Sequence, residues 1–297
     1  MKDAVDVSVV IVSFNNENEI GECLDSLALE LEKDCWQLMV IDNGSEDRTP
    51  KKVRQRLTGL NASRVTGELI CNQKNIGFTK ALNQGLQKSG GEFILILNPD
   101  TRLQPGSLRI LRQVLCETDG IGVSAPQLLN ADGSIQPSCR RFPRHRDVIF
   151  EMMGLNSIFK TSQFFNGWKM GGFDHQVQRS VEQPQGACLF FRRSVLDKVG
   201  LWDERFAMFF SDVDWCQRVK DAGFDIVFEP AAQVIHYKGV SVYQKRPAMV
   251  WSSHRSFFTY FTKHYDRPKY LLANYFIGLL LLLTVVPRML IAMLKKW

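Results

Sequence analysis

The run Ile94-Leu95-Ile96-Leu97 contains no polar residue and is followed at once by Asn98-Pro99-Asp100. Consecutive branched apolar side chains suit a strand buried on both faces, the condition of a parallel sheet covered by helices. An acid delivered at the C-terminal tip of such a strand stands where open α/β sheets bind ligands. Pro and Asp also favour turns, so the heptapeptide alone is equally an ordinary turn.

The same pattern recurs along the chain. Val7-Ser8-Val9-Val10-Ile11-Val12-Ser13 is too apolar for a surface strand. Asn15 and Asn16 then offer helix caps. Ile20, Cys23, Leu24, Leu27, Ala28 and Leu31 follow at helical spacing as one apolar stripe. A second strand over residues 37–41 ends in Asp42-Asn43-Gly44-Ser45, and a third near Leu69-Ile70-Cys71 leads into Asn75-Ile76-Gly77 and a helix through Ala81 and Leu86. Pro105 is expected at the first position of the next helix. Repeating βα units imply an α/β fold with a mostly parallel sheet and helices on both sides.

Residues 138–185 mix Arg, Phe, Gly, Asn and Gln without a sustained period, which is long for a connection and suggests a functional insertion or lid. Regular structure is expected again over residues 187–192, as a helix over 212–222, and as short strands over 226–228 and 233–236. Residues 270–286 are almost wholly apolar, Pro287 and Arg288 interrupt them, and 289–294 continue the run. About 20 apolar residues are needed to span a bilayer. A spanning helix, monotopic insertion and a buried core helix are all open, with the basic flanks favouring a membrane.

The chain's 297 residues can hold one large domain or two small ones. The net charge of +6 is unevenly placed: Arg140, Arg141, Arg144 and Arg146 cluster mid-chain, and Arg267, Lys269, Arg288, Lys295 and Lys296 bracket the C-terminal segment. Nucleic acid would suit such charge, but the C-terminus favours an anionic membrane surface or a diphosphate ligand, and no nucleic-acid partner is expected. Seven scattered cysteines, without CxxC or zinc-like spacing, read as reduced thiols. Asn43-Gly44-Ser45 and Asn61-Ala62-Ser63 are then chance matches to the glycosylation pattern. Asp3 and Asp6 make the apolar N-terminus a core strand rather than a signal peptide. There is no GxGxxG after the first strand and no GxxxxGK[ST], so dinucleotide binding and P-loop hydrolysis are disfavoured.

Seven short motifs carry a resemblance. They are Val9-Val10-Ile11-Val12-Ser13-Phe14-Asn15; Asp42-Asn43-Gly44-Ser45; Asn75-Ile76-Gly77-Phe78 with Ala81, Asn83 and Gly85; and Asn98-Pro99-Asp100. Further on come Gly186-Ala187-Cys188 with Arg192-Arg193; Asp212-Val213-Asp214-Trp215-Cys216 with Arg218; and His236-Tyr237-Lys238-Gly239-Val240-Ser241. In this order, over about 260 residues, the chain resembles a family 2 glycosyltransferase of the GT-A fold, in its rhamnosyltransferase-like branch.

The resemblance implies a donor site of Ser13, Asn15, Asp42, Asn75, Gly77, Asn98 and Asp100, with Asp42 reading the nucleotide base or ribose. It implies that Asp100, with His236 as a further candidate ligand, binds Mg²⁺ or Mn²⁺ at the donor diphosphate. Asn98 stands where many relatives carry a first Asp, which makes this site one charge poorer. Asp212 matches the family's general base, and Ser211 replaces the usual preceding Glu. Asp214 is a runner-up base or a partner for Arg218, and Arg140 and Arg141 suit an acceptor diphosphate. Of Trp168, Phe173 and Trp215, Trp215 is the expected sugar platform.

The implied enzyme is inverting and metal-dependent. It moves rhamnose from dTDP-rhamnose to a lipid-linked or cell-envelope glycan at the cytoplasmic membrane face. A UDP-sugar or GDP-mannose donor is the alternative within the class. A degenerate membrane-bound scaffold and a nucleotidyltransferase are the alternatives outside it. The expected division is a transferase domain over residues 1–265, with a nucleotide-sugar half to about 125 and an acceptor half after it, and a membrane-associating segment over 266–297.

Overall fold

Strand β1 (Val7–Ser13) is buried at every position. It opens a βα succession of α1 (Ile20–Ala28), β2 (Trp36–Asp42), α2 (Thr49–Leu60), β3 (Val65–Cys71), α3 (Phe78–Lys88) and β4 (Phe93–Leu97). There follow β5 (Thr101–Leu103), α4 (Ser107–Glu117), β6 (Ile121–Leu129), β7 (Ile135–Gln136), β8 (Cys139–Arg140), α5 (His145–Met152) and α6 (Leu155–Ile158). The remainder is β9 (Arg179–Ser180), β10 (Gln183–Pro184), β11 (Cys188–Arg192), α7 (Arg193–Val199), α8 (Ser211–Asp221), β12 (Asp225–His236), α9 (Arg246–His264) and α10 (Leu271–Leu294). This computed structural model describes residues 5–30, 35–60, 65–237 and 246–294. Asn61-Ala62-Ser63, Lys238-Gly239-Val240-Ser241, Lys295 and Lys296 lie outside the described residues.

The main sheet runs β3-β2-β1-β4-β11-β6-β12-β5. Its first four strands are parallel, as the βα repeat requires. Beyond them the sheet is mixed, because β11 lies antiparallel to both β4 and β6. Alternate residues of β1 enter two cores. Val9 and Ile11 join Leu24 and Leu27 of α1, Val53 of α2 and Leu111 of α4. Val10 and Val12 join Leu82 and Leu86 of α3, Val195 of α7 and Val219 of α8. A third cluster joins Val148 of α5, Val213 of α8, Phe257, Tyr260 and Phe261 of α9, and Ile277 and Leu281 of α10, which seats the C-terminal helices on the domain.

Several local expectations change. Helix α4 begins at Ser107 after Gly106 in the left-handed region, so Pro105 lies outside it. Asn15 and Asn16 do not cap α1, whose first residue is Ile20; the Asn16 side-chain oxygen accepts the Phe14 N–H instead. The strands expected near 226 and 233 are one strand, β12, with an irregular register between Glu229 and Gln233. The 138–185 stretch is substantially ordered and contains α5, α6 and three short strands. Helix α10 continues through Pro287. Long stretches of its surface, including Leu272, Leu279 and Leu283, are exposed, which excludes a buried core helix.

Candidate active site

The sheet brings three strand tips to one edge. Ser13 is in register with Asp42, and Ile11 with Leu97, so residues after Val12, Ile41 and Leu97 meet there. The Asp42 carboxylate is buried. Its Oδ1 accepts from Ser13 Oγ at 3.2 Å and Ser45 Oγ at 2.6 Å, and its Oδ2 accepts from Ser45 N–H at 3.0 Å. Asn15 takes a left-handed conformation, which Asn tolerates better than most residues. Its N–H reaches Ser45 Oγ, and its side-chain oxygen accepts the Glu46 N–H. Asn75 extends this ring: Asn43 Nδ2 and the Gly77 N–H both donate to its Oδ1, at 3.1 and 2.9 Å. Ser13, Asn15, Asp42, Asn75 and Gly77 therefore form one polar rim.

Asn98 and Asp100 stand beside it. The Asn98 N–H donates to Ala187 O at 2.8 Å, which ties the tip of β4 to the start of β11. Asp100 Oδ1 lies 3.6 Å from His236 Nε2, and Tyr237 N–H donates to Asp100 O. Gln136 sets the tautomer of this histidine. Its Nε2 donates to Asn130 Oδ1 and to His236 O, which turns its Oε1 to His236 Nδ1 at 2.8 Å. By this network Nδ1 carries the proton of the neutral imidazole, whose Nε2 lone pair then faces the Asp100 carboxylate. Two lone-pair donors facing one another suit a cation between them. Among the described residues no group of three or more His, Cys, Asp or Glu forms a complete metal cage. A carboxylate and an imidazole with open positions fit an ion whose remaining ligands are phosphate oxygens and water. The residues present thus fit Mg²⁺ or Mn²⁺.

Asp212 enters from the opposite side, in the first turn of α8. Its Oδ2 accepts from Gly186 N–H at 3.1 Å and Gln183 Nε2 at 3.0 Å, and its Oδ1 from Val213 N–H at 2.9 Å. A Cβ at Gly186 would fall 3.1 Å from Asp212 Cβ, so glycine permits this close approach. Burial raises the Asp212 pKa, against the lowering effect of the two backbone N–H groups and the nearby Arg140 charge. The side chain stays half-buried rather than sealed. Arg140 pairs across the short β8–β10 ladder with Gln183 and lies over Trp168 at 5.6 Å. Ser211, where the family pattern expects Glu, is buried and donates to Met208 O. Since Gly186 adjoins Ala187, and Ala187 holds Asn98, Asp212 and the donor-side rim belong to one continuous hydrogen-bonded edge.

Three expected acceptor-side residues are elsewhere. Trp215 is fully buried, stacked on Trp202 at 4.0 Å and tilted on Phe191, so it cannot present a face to a sugar. Asp214 is also fully buried and binds Arg218, Lys263 and His264. Arg218 donates additionally to Val199 O and Leu201 O. On a helix, residue 214 points away from residue 212, which sends these groups into the body while Asp212 turns toward Gly186 and Gln183 and stays partly exposed. Phe173 packs on Phe228 in the core. Arg141 is exposed and its N–H donates to Trp168 O. The sequence reading missed Gln136 and Gln183, whose roles depend on partners 100 and 29 residues away.

A model of the family described as glycosyl transferase family 2 matches residues 8–200. The N-acetylglucosaminyl-diphospho-decaprenol L-rhamnosyltransferase of Mycobacterium tuberculosis is similar, 27% identical over 263 residues that cover 84% of this chain and 81% of the relative. The dTDP-rhamnosyl transferase RfbF of Shigella flexneri is 23% identical over 237 residues, covering 78% of this chain and 69% of its own. Among solved structures, the mannosyltransferase PcManGT from Pyrobaculum calidifontis in complex with GDP-Man and Mn²⁺ superposes with a TM-score of 0.59 at 17% identity. The match covers 98% of this chain and 76% of that one and demonstrates a common fold.

Proposed function

The chain belongs to glycosyl transferase family 2, and from that premise we propose that it is an inverting, metal-dependent rhamnosyltransferase acting on a lipid-linked glycan. The observation that carries the reading is the Asp212 carboxylate, anchored by Gly186 and Gln183, raised in pKa by burial and still partly exposed. In this role Asp212 takes the proton from the acceptor hydroxyl as its oxygen bonds to the anomeric carbon. The bond from that carbon to the nucleoside diphosphate breaks on the opposite side, which inverts the configuration. A raised pKa makes the carboxylate a stronger base than a solvated one.

Asp100 and His236 would hold the divalent ion, with Gln136 fixing the imidazole. When bound there, the ion neutralises charge on the departing diphosphate. The rim of Ser13, Asn15, Asp42, Asn75 and Gly77 would receive the nucleoside. Three internal donors occupy most of the roughly four acceptor positions of Asp42, leaving room for one base or ribose donor. Arg140 would face the acceptor beside Asp212. The dTDP-rhamnose donor and the polyprenyl-diphosphate type of acceptor are supported by the named activities of the M. tuberculosis and S. flexneri relatives. The exposed apolar side of α10 supports action at a membrane surface, here proposed to be the cytoplasmic face.

The test is thermal stabilisation by dTDP, UDP and GDP, each with and without Mn²⁺, followed by transfer assays with the matching sugar nucleotide. A selective, metal-dependent rise with dTDP is expected. Selectivity for UDP or GDP would overturn the donor assignment, and no response to any of them would overturn the transferase site.

A further inference from the structure

We propose that α10 lies in the plane of one leaflet of an anionic bilayer, rather than crossing it, and that the segment from Met153 to Phe165 forms a second membrane contact beside it. The proposal rests on the membrane-borne acceptor inferred above, and it concerns how the chain sits on that membrane.

Pro268–Met293 is long and apolar enough to span a bilayer by length and composition. The packing of α10 decides otherwise. Asn274 bonds to His145 and to Tyr265 O. A Cβ at Gly278 would fall 2.9 Å from the Phe258 ring, so α9 and α10 touch closely there. Thr284 lies 3.4 Å from His254 Nε2, and Arg288 donates to Met152 Sδ at 2.9 Å. These contacts recur from residue 274 to residue 288, about 21 Å of helix at 1.5 Å per residue. Along that length α5 and α9 flank one side of α10, and α9 is in turn anchored to the domain through Phe257, Tyr260 and Phe261. A perpendicular crossing would drag Arg146, Arg255 and Lys263 of these helices toward the hydrocarbon, where charges are costly. Peeling α10 away would instead uncover Ile277, Leu281 and Val285, all buried against the domain. The opposite side of α10 exposes Leu272, Phe276, Leu279, Leu283, Val286 and Leu290. A helix covered on one side by a soluble body and apolar on the other matches in-plane insertion.

The second contact adjoins the C-terminal half of α10. Helix α5 accompanies α10 from His145, at Asn274, to Met152, at Thr284 and Arg288. Immediately beyond, Met153, Ile158, Phe159 and Phe164 are exposed, Ile158 to 70%. The segment has an internal framework, since Phe165 stacks on Phe159 at 4.8 Å and packs on Phe150 at 5.1 Å. Exposed Arg144, Arg146, Lys160, Arg267 and Lys269 lie on the same two elements or their flanks and complement anionic headgroups. Because Arg141 N–H holds Trp168 O, and Arg140 lies over that ring and near Asp212, the chain that follows this segment is tied to the neighbourhood of the proposed base. Such docking would bring a lipid-borne acceptor to the base without withdrawing it from the membrane surface.

The full-length protein, tagged at both termini, would be added to sealed vesicles of phosphatidylethanolamine and phosphatidylglycerol, and in parallel expressed in cells from which right-side-out and inverted membrane vesicles are made. In-plane docking predicts that protease removes both tags from the same side. A C-terminal tag protected where the N-terminal tag is cleaved would overturn it in favour of a spanning helix. Ile158→Asp with Phe159→Asp should lower vesicle binding about tenfold or more, from the lost apolar burial, while the nucleoside diphosphate thermal shift persists. Unchanged vesicle binding by that folded variant would remove the second contact. Wild-type protein that binds no vesicles and resides in the soluble cell fraction would overturn the membrane reading itself, even where transferase activity on a soluble acceptor remains.

Discussion

The Asp214 carboxylate and the His264 imidazole meet at 2.8 Å, joining the first turn of α8 to the last turn of α9. Lys263 adds a second contact to the same oxygen at 2.6 Å, and Arg218 holds the other oxygen at 3.0 Å. Asp214 lies two residues from Asp212, so the helix that presents the proposed base is secured by the helix that carries the C-terminal apolar segment. A charged cluster of this kind sets orientation: its members are satisfied in one relative placement of the two helices.

Breaking that cluster should be costly. Asp214→Ala leaves Lys263, His264 and Arg218 without their shared partner, and removing one member of a buried ion pair costs about 3–5 kcal/mol. A fall in melting temperature of roughly 10 °C is expected by calorimetry or dye melting. A change of a degree or two would show that the cluster does not hold α8 to α9.

The same cluster sets an acid response. Burial raises the Asp214 pKa, but the His264, Lys263 and Arg218 contacts outweigh it and leave the pKa below its ordinary value. The stability it contributes is therefore present above the unfolded carboxylate pKa of about 3.9 and is lost as pH falls through the lower folded value. The melting curves of wild type and Asp214→Ala should converge in acid and separate toward neutrality. A constant separation at all pH values would contradict this assignment.

Asp212→Asn should lower turnover by about 10²–10⁴ with little change in donor binding. Its folded pKa is raised, chiefly by burial, so ionised Asp212 destabilises the fold at neutral pH. The amide must also set its NH2 group against one of the N–H donors that the carboxylate accepts, so the melting temperature at pH 7, read beside turnover, separates lost chemistry from lost structure. Near-normal turnover would remove Asp212 as the base.

The pH profile follows from the same shift. A general base works deprotonated, so kcat/KM should fall as pH drops through the Asp212 pKa, and this limb should lie above the ordinary aspartate value of about 3.9. A limb at or below that value would mean that another group limits the reaction.

Gln136→Leu removes the acceptor that fixes His236 Nδ1–H without touching Asp100. Loss of such outer support typically weakens metal affinity about 10–100-fold. Titration of activity with Mn²⁺ should show a displacement of that order, with nucleoside affinity in the absence of metal unchanged. Identical Mn²⁺ dependence would take His236 out of the metal site.

Much of the framework was legible from local pattern. The β1 and β4 runs, the α1 stripe and the acids at strand tips depend on neighbours two to four residues apart, and those spacings are written directly in the chain. The positions of Ser13, Asp42 and Asp100 on one edge followed from parallel register, which the repeated βα unit imposes. That Asp212 and Asp214 point apart, and that Asp214 could pair with Arg218, was legible from helical spacing; which of the two is sealed was not. Asp212 and Asp214 are equivalent in composition, yet one stays partly exposed under Gly186 and the other is sealed beneath Lys263 and His264. Trp215 had the chemistry of a sugar platform, and only its stack on Trp202 made it core. Gln136 and Gln183 gained their roles from partners remote in sequence, as did the side of α10 that α9 and α5 cover. Sequence spacing determines which groups share a face of an element. What that face meets is set by long-range packing, and this decided which acid stays partly exposed beside Gly186, which holds two helices together, and which side of the last helix stays open.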